Sequence, residues 1–516
     1  MKDKFKISKH QFALIIIFAV GFAVRLYGLG VFPGGLNQDE ASSGYEAFSL
    51  LYYGIDRNGI TNPVHLLSWG SGQNIFYSWL CMPFVAVFGL NVFTIRLPMA
   101  ITGCASVAVF YKLIKTLWDE HTALVSTLFF AIYPWHIMKS RWALESNIFP
   151  DMVLLGCLLI MLYLKKEKPA YLYAAAAVLG LACYSYGTAY LFMPFFAGGI
   201  WLYMLAKKKI STKHFIFSAL LLFVTVLPVI LFVVINITDL EQMTFLGFTI
   251  PKMYQQRFSA VTGTGESFLA GCADNLKAFF RILINQGDGL SWNGFKNYGI
   301  CYIVFVPLVF IGVLLSFFYR KEHSFVMHWW LVCALLVVMV TDVNVNRVNI
   351  VFIPVAYYIS ITLASFCRCS RYFKYAAAIC CVFLFGLFCR EYFTVHSKTV
   401  SRHFFHSYEN ALELAEEAES EKIYIGTNIN QPYMLTLFYT QGDPHTYIDT
   451  AEKLNQKQAF EFVRSYDKYH FYLPETINAA EDAVYIVDRS NTDIFEPGIF
   501  NITDFEYYSV AVPVRW

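Results

Sequence analysis

The sequence predicts a polytopic α-helical membrane protein of about eleven transmembrane helices. Interfacial helices fill its first outer loop, and a small extracytoplasmic α/β domain stands at its C-terminus. Three observations predict this. Of 516 residues, 57% are hydrophobic and only 15% charged, where soluble chains carry ~25% charged residues. Apolar runs near the ~20 residues needed to cross a bilayer recur along the chain. Beyond residue 390 that pattern gives way to short strand-like and helix-like segments.

The first ten residues hold four lysines, followed by the apolar run Gln11–Gly30. Its length and the lack of a small-residue cleavage site suit a signal-anchor helix with a cytoplasmic N-terminus. Further spans are expected at Ile95–Leu117, Thr122–Met138, Ile148–Leu164, Tyr171–Ser185, Thr188–Leu205, Phe215–Ile237, Ile300–Phe318, Phe325–Thr341, Val348–Phe366 and Tyr375–Cys389. The run Asn74–Gly89 is short and holds Pro83. If it lies in the interface, the clusters Lys112/Lys115, Lys165 to Lys168, Lys207 to Lys209, Arg320-Lys321 and Arg368 to Lys374 all share the side of the N-terminal lysines. The positive-inside rule therefore makes it interfacial.

Two parts follow from this topology. Residues 1–389 are expected to form a transmembrane domain, with a first outer loop at 31–94 and a long outer loop at 238–299. Residues 390–516 form the extracytoplasmic α/β domain. There, Glu409–Glu421 reads as helix, Lys422–Ile425 and Ala483–Val487 as buried strands, and Gln458–Tyr469 as a helix between them. With no nucleophile or phosphate-loop motif, this domain suits a lid or acceptor-docking role. The twelve cysteines lie mostly in apolar runs, without the spacing of a disulfide framework or zinc site. No nucleic-acid motif is present.

The same topology gathers the polar residues at one surface, the extracytoplasmic one. Asp39 and Glu40 follow the first span in Pro33-Gly34-Gly35-Leu36-Asn37-Gln38-Asp39-Glu40. Asp39 could cap the helix that begins there, with Glu40 complementing its dipole. It could equally be a general base that takes a proton from an attacking hydroxyl. Glu145, in Ser140-Arg141-Trp142-Ala143-Leu144-Glu145, is a second acid on that face. Four residues from Arg141, it could form an ion pair along one helix face. Arg347 suits a phosphate leaving group, though an interfacial arginine also meets lipid headgroups. Arg25, Arg96 and Arg141 are further cations for a lipid phosphate, each able instead to snorkel. Arg57 and His65 in the first loop are weaker binding candidates. Tyr184/Tyr186 and Trp69/Trp79 could stack on sugar, or belong to an aromatic belt.

Together these residues resemble the GT-C class of polytopic glycosyltransferases, nearest the branch of protein O-mannosyltransferases and lipid A aminoarabinose transferases. The resemblance rests on Asp39-Glu40 after the first span and Gly54 behind it. It continues through Asn74–Gly89 into Arg96-Leu97-Pro98, then Tyr133-Pro134 with Ser140 to Glu145, and Arg347 with Pro354. It is good over residues 11–210, loose to 390 and only architectural beyond. It implies transfer of a sugar from a polyprenyl-phosphate carrier to an acceptor protein, lipid or cell-wall polymer outside the cell membrane, with Asp39 as base and Glu40 beside it. Where the family often has Asp, position 145 is Glu. No cofactor is required, although a carboxylate pair could bind a divalent cation. A lipid-carrier flippase or transporter would show internal repeats and midplane charges, and a non-catalytic scaffold would need no acids in two separate loops. Neither pattern is seen.

Overall fold

The structure is a computed structural model, described here for residues 8–69, 72–254, 268–319, 324–456, 458 and 461–514. The cluster Arg320-Lys321 lies outside the described residues. The chain folds as two compact units. One comprises Met1–Leu29, Met99–Ile230 and Phe258–Tyr392, and the other Gly30–Pro98, Leu231–Arg257 and Phe393–Trp516.

The protein is mostly helical, and a helix lies at every expected span. Among the described residues, seven helices are long and apolar enough to cross a membrane: Lys9–Leu26, Val92–Leu117, Glu145–Lys166, Ala189–Ala206, Thr212–Thr238, Asn349–Cys369 and Arg371–His403. Shorter apolar helices occupy Pro169–Ala182, Ile303–Phe318 and Phe325–Val340. These features make the chain a multi-pass membrane protein.

The expected span Thr122–Met138 is corrected to two pieces. The helix Glu120–Ala131 stops before Tyr133-Pro134, and a short helix Pro134–Lys139 restarts at the proline. Proline disfavours helical geometry in the residue before it and suits a first helical turn. The run Asn74–Gly89 contains the helix Phe76–Phe88, too short to cross a bilayer unaided. The long loop 238–299 holds two elements the sequence reading missed. One is the hairpin Met243–Phe245 with Phe248–Ile250, and the other is the amphipathic helix Phe268–Asn285.

The second unit is built around the helix Gln38–Tyr52, whose inner residues Glu40 to Ser49 are all buried. Gly44 lets neighbouring elements come close. A β-carbon there would sit 2.7 Å from Ile95 and from Phe438. Gly35 is needed for a different reason. Its φ of +77° favours glycine, and the Phe404 carbonyl occupies the space a side chain would take.

Among the described residues, the C-terminal sheet of this unit has seven strands. In spatial order they are Phe500–Asp504, Tyr508–Pro513, Ala483–Asp488, Lys422–Gly426, Tyr469–His470, Val463–Tyr466 and Glu452–Lys453. The two central strands, Lys422–Gly426 and Ala483–Asp488, run parallel, with Lys422 beside Ala483 and Gly426 beside Val487. Tyr424 and Tyr485 stack on one face at 5.4 Å, packed with Phe495 and Phe500. The expected helix over Gln458–Tyr469 is corrected: strands lie at Val463–Tyr466 and Tyr469–His470.

Candidate active site

The acidic pair sits at the start of the helix Gln38–Tyr52, but the cap is neither acid. Asn37 is the N-cap, its side-chain oxygen accepting from the Asp39 N–H at 2.9 Å. Glu40 closes the capping box by accepting from the Asn37 N–H at 3.3 Å. The expectation that Asp39 itself caps this helix is therefore corrected.

Glu40 has a second bond. Arg96 Nε and Nη2 donate to its two oxygens, each at 2.8 Å, and both side chains are fully buried. The remaining Arg96 donors reach the carbonyls of Pro33 at 2.7 Å and Gly35 at 2.9 Å. Arg96, expected as a phosphate ligand, here ties the Pro33–Gly35 turn to the helix. Such fork-to-carboxylate pairing is strong because both groups are ionised and aligned.

Asp39 is held differently. It is half-buried, and its Oδ1 accepts from Trp69 Nε1 at 3.1 Å. Gln73 Nε2 donates to the Asp39 carbonyl at 3.1 Å and to Ser43 Oγ at 2.8 Å, fixing the backbone beneath. Burial pushes the carboxyl up to about 6, Trp69 and Arg57 pull it down, and Glu40 pushes it up.

Beside Trp69 lies Arg57, its guanidinium 5.1 Å from the ring centroid. Arg57 donates to Ser42 Oγ at 2.7 Å and Ser68 Oγ at 2.8 Å, and pairs with Glu46 at 3.1 Å. Burial opposes its charge, but Tyr433, Glu46, Tyr447 and Asp56 outweigh burial and hold it protonated. Burial also raises the carboxyls of Glu46 and Asp56, despite Arg57. A small cavity beside this cluster is lined by Arg57, Trp69, Tyr254, Tyr433, Tyr447 and Lys453, among others. His65 is buried and stacks on Phe232 at 4.2 Å.

The remaining candidates lie in the first unit. Arg25 is fully buried. It donates to the carbonyls of Gly21 at 2.8 Å, Ala131 at 2.9 Å and Phe130 at 3.4 Å, and meets His136 Nδ1 at 2.8 Å. It thus meets the helix end created by the break before Pro134, where the last carbonyls of a helix lack intrahelical donors and the Ala131 carbonyl accepts from the guanidinium instead. Arg141 does the same for Lys9–Leu26 and its exit turn, donating to the carbonyls of Val24 and Arg25 at 3.0 Å and of Gly28 at 3.3 Å. Arg141 lies past the end of the helix Pro134–Lys139, and Glu145 opens a separate 3₁₀ turn, Glu145–Ile148. The shared helix face expected for this pair is therefore absent.

The sequence reading missed one buried cluster altogether. His136 Nε2 meets Asp151 at 3.2 Å, and Lys139 pairs with the other Asp151 oxygen while donating to the Asn147 carbonyl at 2.9 Å. Its members are spread over two helices, and the polar residues are the only signal in an apolar context.

Tyr186 is half-buried just before the helix Ala189–Ala206. Arg347 sits in the turn before Asn349–Cys369, its side chain 25% exposed and paired with Asp342 at 3.3 Å. Among the described residues, no three His, Cys, Asp or Glu side chains have the geometry of a metal site.

Comparison with known proteins adds family and fold. Residues 73–232 match the family model described as dolichyl-phosphate-mannose-protein mannosyltransferase. A curated relative from Bacillus subtilis (strain 168), named "Putative mannosyltransferase YycA", is 27% identical over 144 residues, spanning 28% of this chain and 20% of that protein. Across nearly the whole chain the fold is similar to that of ArnT from Cupriavidus metallidurans. The apo structure covers 98% of both chains with a TM-score of 0.58 at 11% identity. The structure bound to undecaprenyl phosphate gives 0.57 at the same coverage and identity. The family match and the curated relative each cover only part of the chain, and the likeness of fold extends over nearly all of it.

Proposed function

We propose that this chain moves a sugar from a polyprenyl-phosphate carrier to an acceptor hydroxyl at the extracytoplasmic face, with inversion, using Asp39 as general base. One observation carries the reading. Asp39 sits at a helix N-terminus, yet Asn37 supplies the cap and Glu40 takes the ion pair. A half-buried carboxylate relieved of both structural tasks, with its proton affinity raised towards neutrality, has the properties of a base.

The chemistry needs few groups. The acceptor oxygen attacks the anomeric carbon as its proton passes to Asp39. The bond from that carbon to the phosphate oxygen breaks on the opposite side, and the electron pair leaves with the polyprenyl phosphate. Positioning and electrostatics supply the rest. Of the candidate arginines, Arg25, Arg96 and Arg141 direct donors to carbonyls, to His136 or to Glu40, and Arg57 is buried among its partners. Arg347 is the partly exposed one and is our candidate for the phosphate. The family description and the name of the curated relative favour mannose as the first sugar to test. ArnT, whose fold this chain shares, was solved with undecaprenyl phosphate, which favours a carrier of that kind. The basic clusters support an orientation with the N-terminus cytoplasmic and residues 390–516 outside.

The test is transfer itself. Purified protein in lipid is incubated with labelled polyprenyl-phosphate sugars, mannose first, and a membrane extract. Label should pass to an acceptor with the anomeric configuration inverted. Transbilayer movement of the carrier with no transfer would favour the flippase reading instead.

A further inference from the structure

We infer that Trp69 is the positioning residue of the base, aiming the Asp39 carboxylate through its indole N–H. This rests on the reading of Asp39 as base. Trp69 Nε1 donates to Oδ1 at 3.1 Å. The second oxygen, Oδ2, has no hydrogen bond among the described residues, so it is the one left to accept a proton. A single donor on one oxygen fixes the plane of the carboxylate without occupying the oxygen that reacts.

The indole is itself anchored. Arg57 lies over its ring at 5.1 Å. Arg57 is in turn fixed by Ser42, Ser68 and Glu46. Ser42 donates to Gln73 Oε1 at 2.7 Å, and Gln73 Nε2 donates to the Asp39 backbone carbonyl. The contacts close a ring of residues: Asp39, Trp69, Arg57, Ser42, Gln73 and back to Asp39. Both the side chain and the backbone of the base are held, by Trp69 and by Gln73. That is the arrangement expected of supporting groups that preorganise a reacting side chain.

The donor has an electrostatic consequence too. An N–H aimed at an ionised carboxylate favours the charged form, so it opposes the effect of burial. Trp69 favours the ionised form of the base while holding its direction.

The experiment replaces Trp69 with β-(3-benzothienyl)alanine, which keeps the bicyclic shape and the surface beneath Arg57 but has sulfur in place of the N–H. Trp69→Phe is made in parallel. With polyprenyl-phosphate mannose as probe, kcat should fall roughly tenfold with KM little changed, and the acidic limb of the pH profile should rise by about one unit. A second readout needs no substrate. In protein carrying 5-fluorotryptophan, the Trp69 fluorine resonance, identified by its loss in Trp69→Phe, should titrate with a midpoint of about 6 and stop titrating in Asp39→Asn. An inactive Asp39→Asn beside a benzothienyl variant with unchanged kcat and pH limb would overturn this inference alone. A flat fluorine resonance between pH 5 and 8 would do the same. An active Asp39→Asn would remove the base reading on which it stands.

Discussion

Two groups of buried arginines show how this molecule uses charge. In the first unit, Arg25 and Arg141 turn their donors on backbone carbonyls at helix ends. In the second, Arg96 and Arg57 turn theirs largely on the carboxylates Glu40 and Glu46 and on neighbouring polar groups. The first group compensates for broken helices inside an apolar setting, where an unmatched carbonyl costs several kcal/mol. The second leaves one acid out. Asp39 is the neighbour of the paired Glu40, and among the described residues its own carboxylate bonds to an indole and to neither arginine. The comparison teaches that an intramembrane arginine is weak evidence for a phosphate site, and that the acid left out of the ion pairs is the informative residue.

The largest effect should come from Asp39→Asn. Asparagine cannot accept the proton, so turnover should fall by a factor on the order of 10² to 10⁴. The cap belongs to Asn37, so the variant should still fold and insert. Its stability sharpens the point. Burial raises the Asp39 carboxyl above its unfolded value, so its contribution to stability is fully present below about pH 4 and lost as pH rises through about 6. At pH 8 the charged form is a cost that Asn removes. Thermal unfolding at pH 8 should therefore show Asp39→Asn no less stable than the parent, and a marked loss would return Asp39 to a structural role.

Next in size is Glu40→Ala, and it should act on the opposite quantity. It strands Arg96 in a site where both partners are fully buried, a change that costs about 3–5 kcal/mol. The unfolding temperature should drop sharply, and Arg96→Ala should match it. If the double variant is no worse than either single one, the two act as one pair. A Glu40→Ala protein of normal stability but no activity would instead make Glu40 a second catalytic acid.

The sequence made the membrane helices legible because length and hydrophobicity are local properties. The break at Tyr133-Pro134 was legible in principle from the proline. So was the capping box, since Asn37 and Glu40 stand three apart at a helix start. The arginine partners were not legible, because Arg25 reaches the Ala131 carbonyl across 106 residues and backbone acceptors leave no trace in composition. The strands at Val463–Tyr466 and Tyr469–His470 were read as helix for a physical reason. Phe462, Val463, Tyr466 and Tyr469 recur at three- and four-residue spacing, which mimics a helical stripe. In the structure these short strands meet at a tight antiparallel turn, with Tyr466 opposite Tyr469.

The smallest effect we expect is at Arg347, and it tests whether partial exposure marks the phosphate ligand. Its guanidinium is neither sealed under carbonyls nor fully solvated, and its ion pair with Asp342, at 3.3 Å, is loose. Breaking such a half-exposed pair should cost under about 1 kcal/mol of stability, so folding is not the readout. A charge-assisted contact to a leaving phosphate contributes about 1.5–3 kcal/mol. Arg347→Ala should therefore weaken use of the carrier lipid about ten- to a hundredfold in kcat/KM, with little change in unfolding temperature. Arg347→Lys should recover only part of this, since lysine keeps the charge but lacks the planar fork. Arg141→Lys is the control. A lysine there can still donate to the carbonyls of Val24 and Arg25, so donor kinetics should change less than in Arg347→Ala. Should the order reverse, with Arg347→Ala silent and Arg141→Lys impaired, exposure would be the wrong guide and the phosphate would belong with the buried arginines.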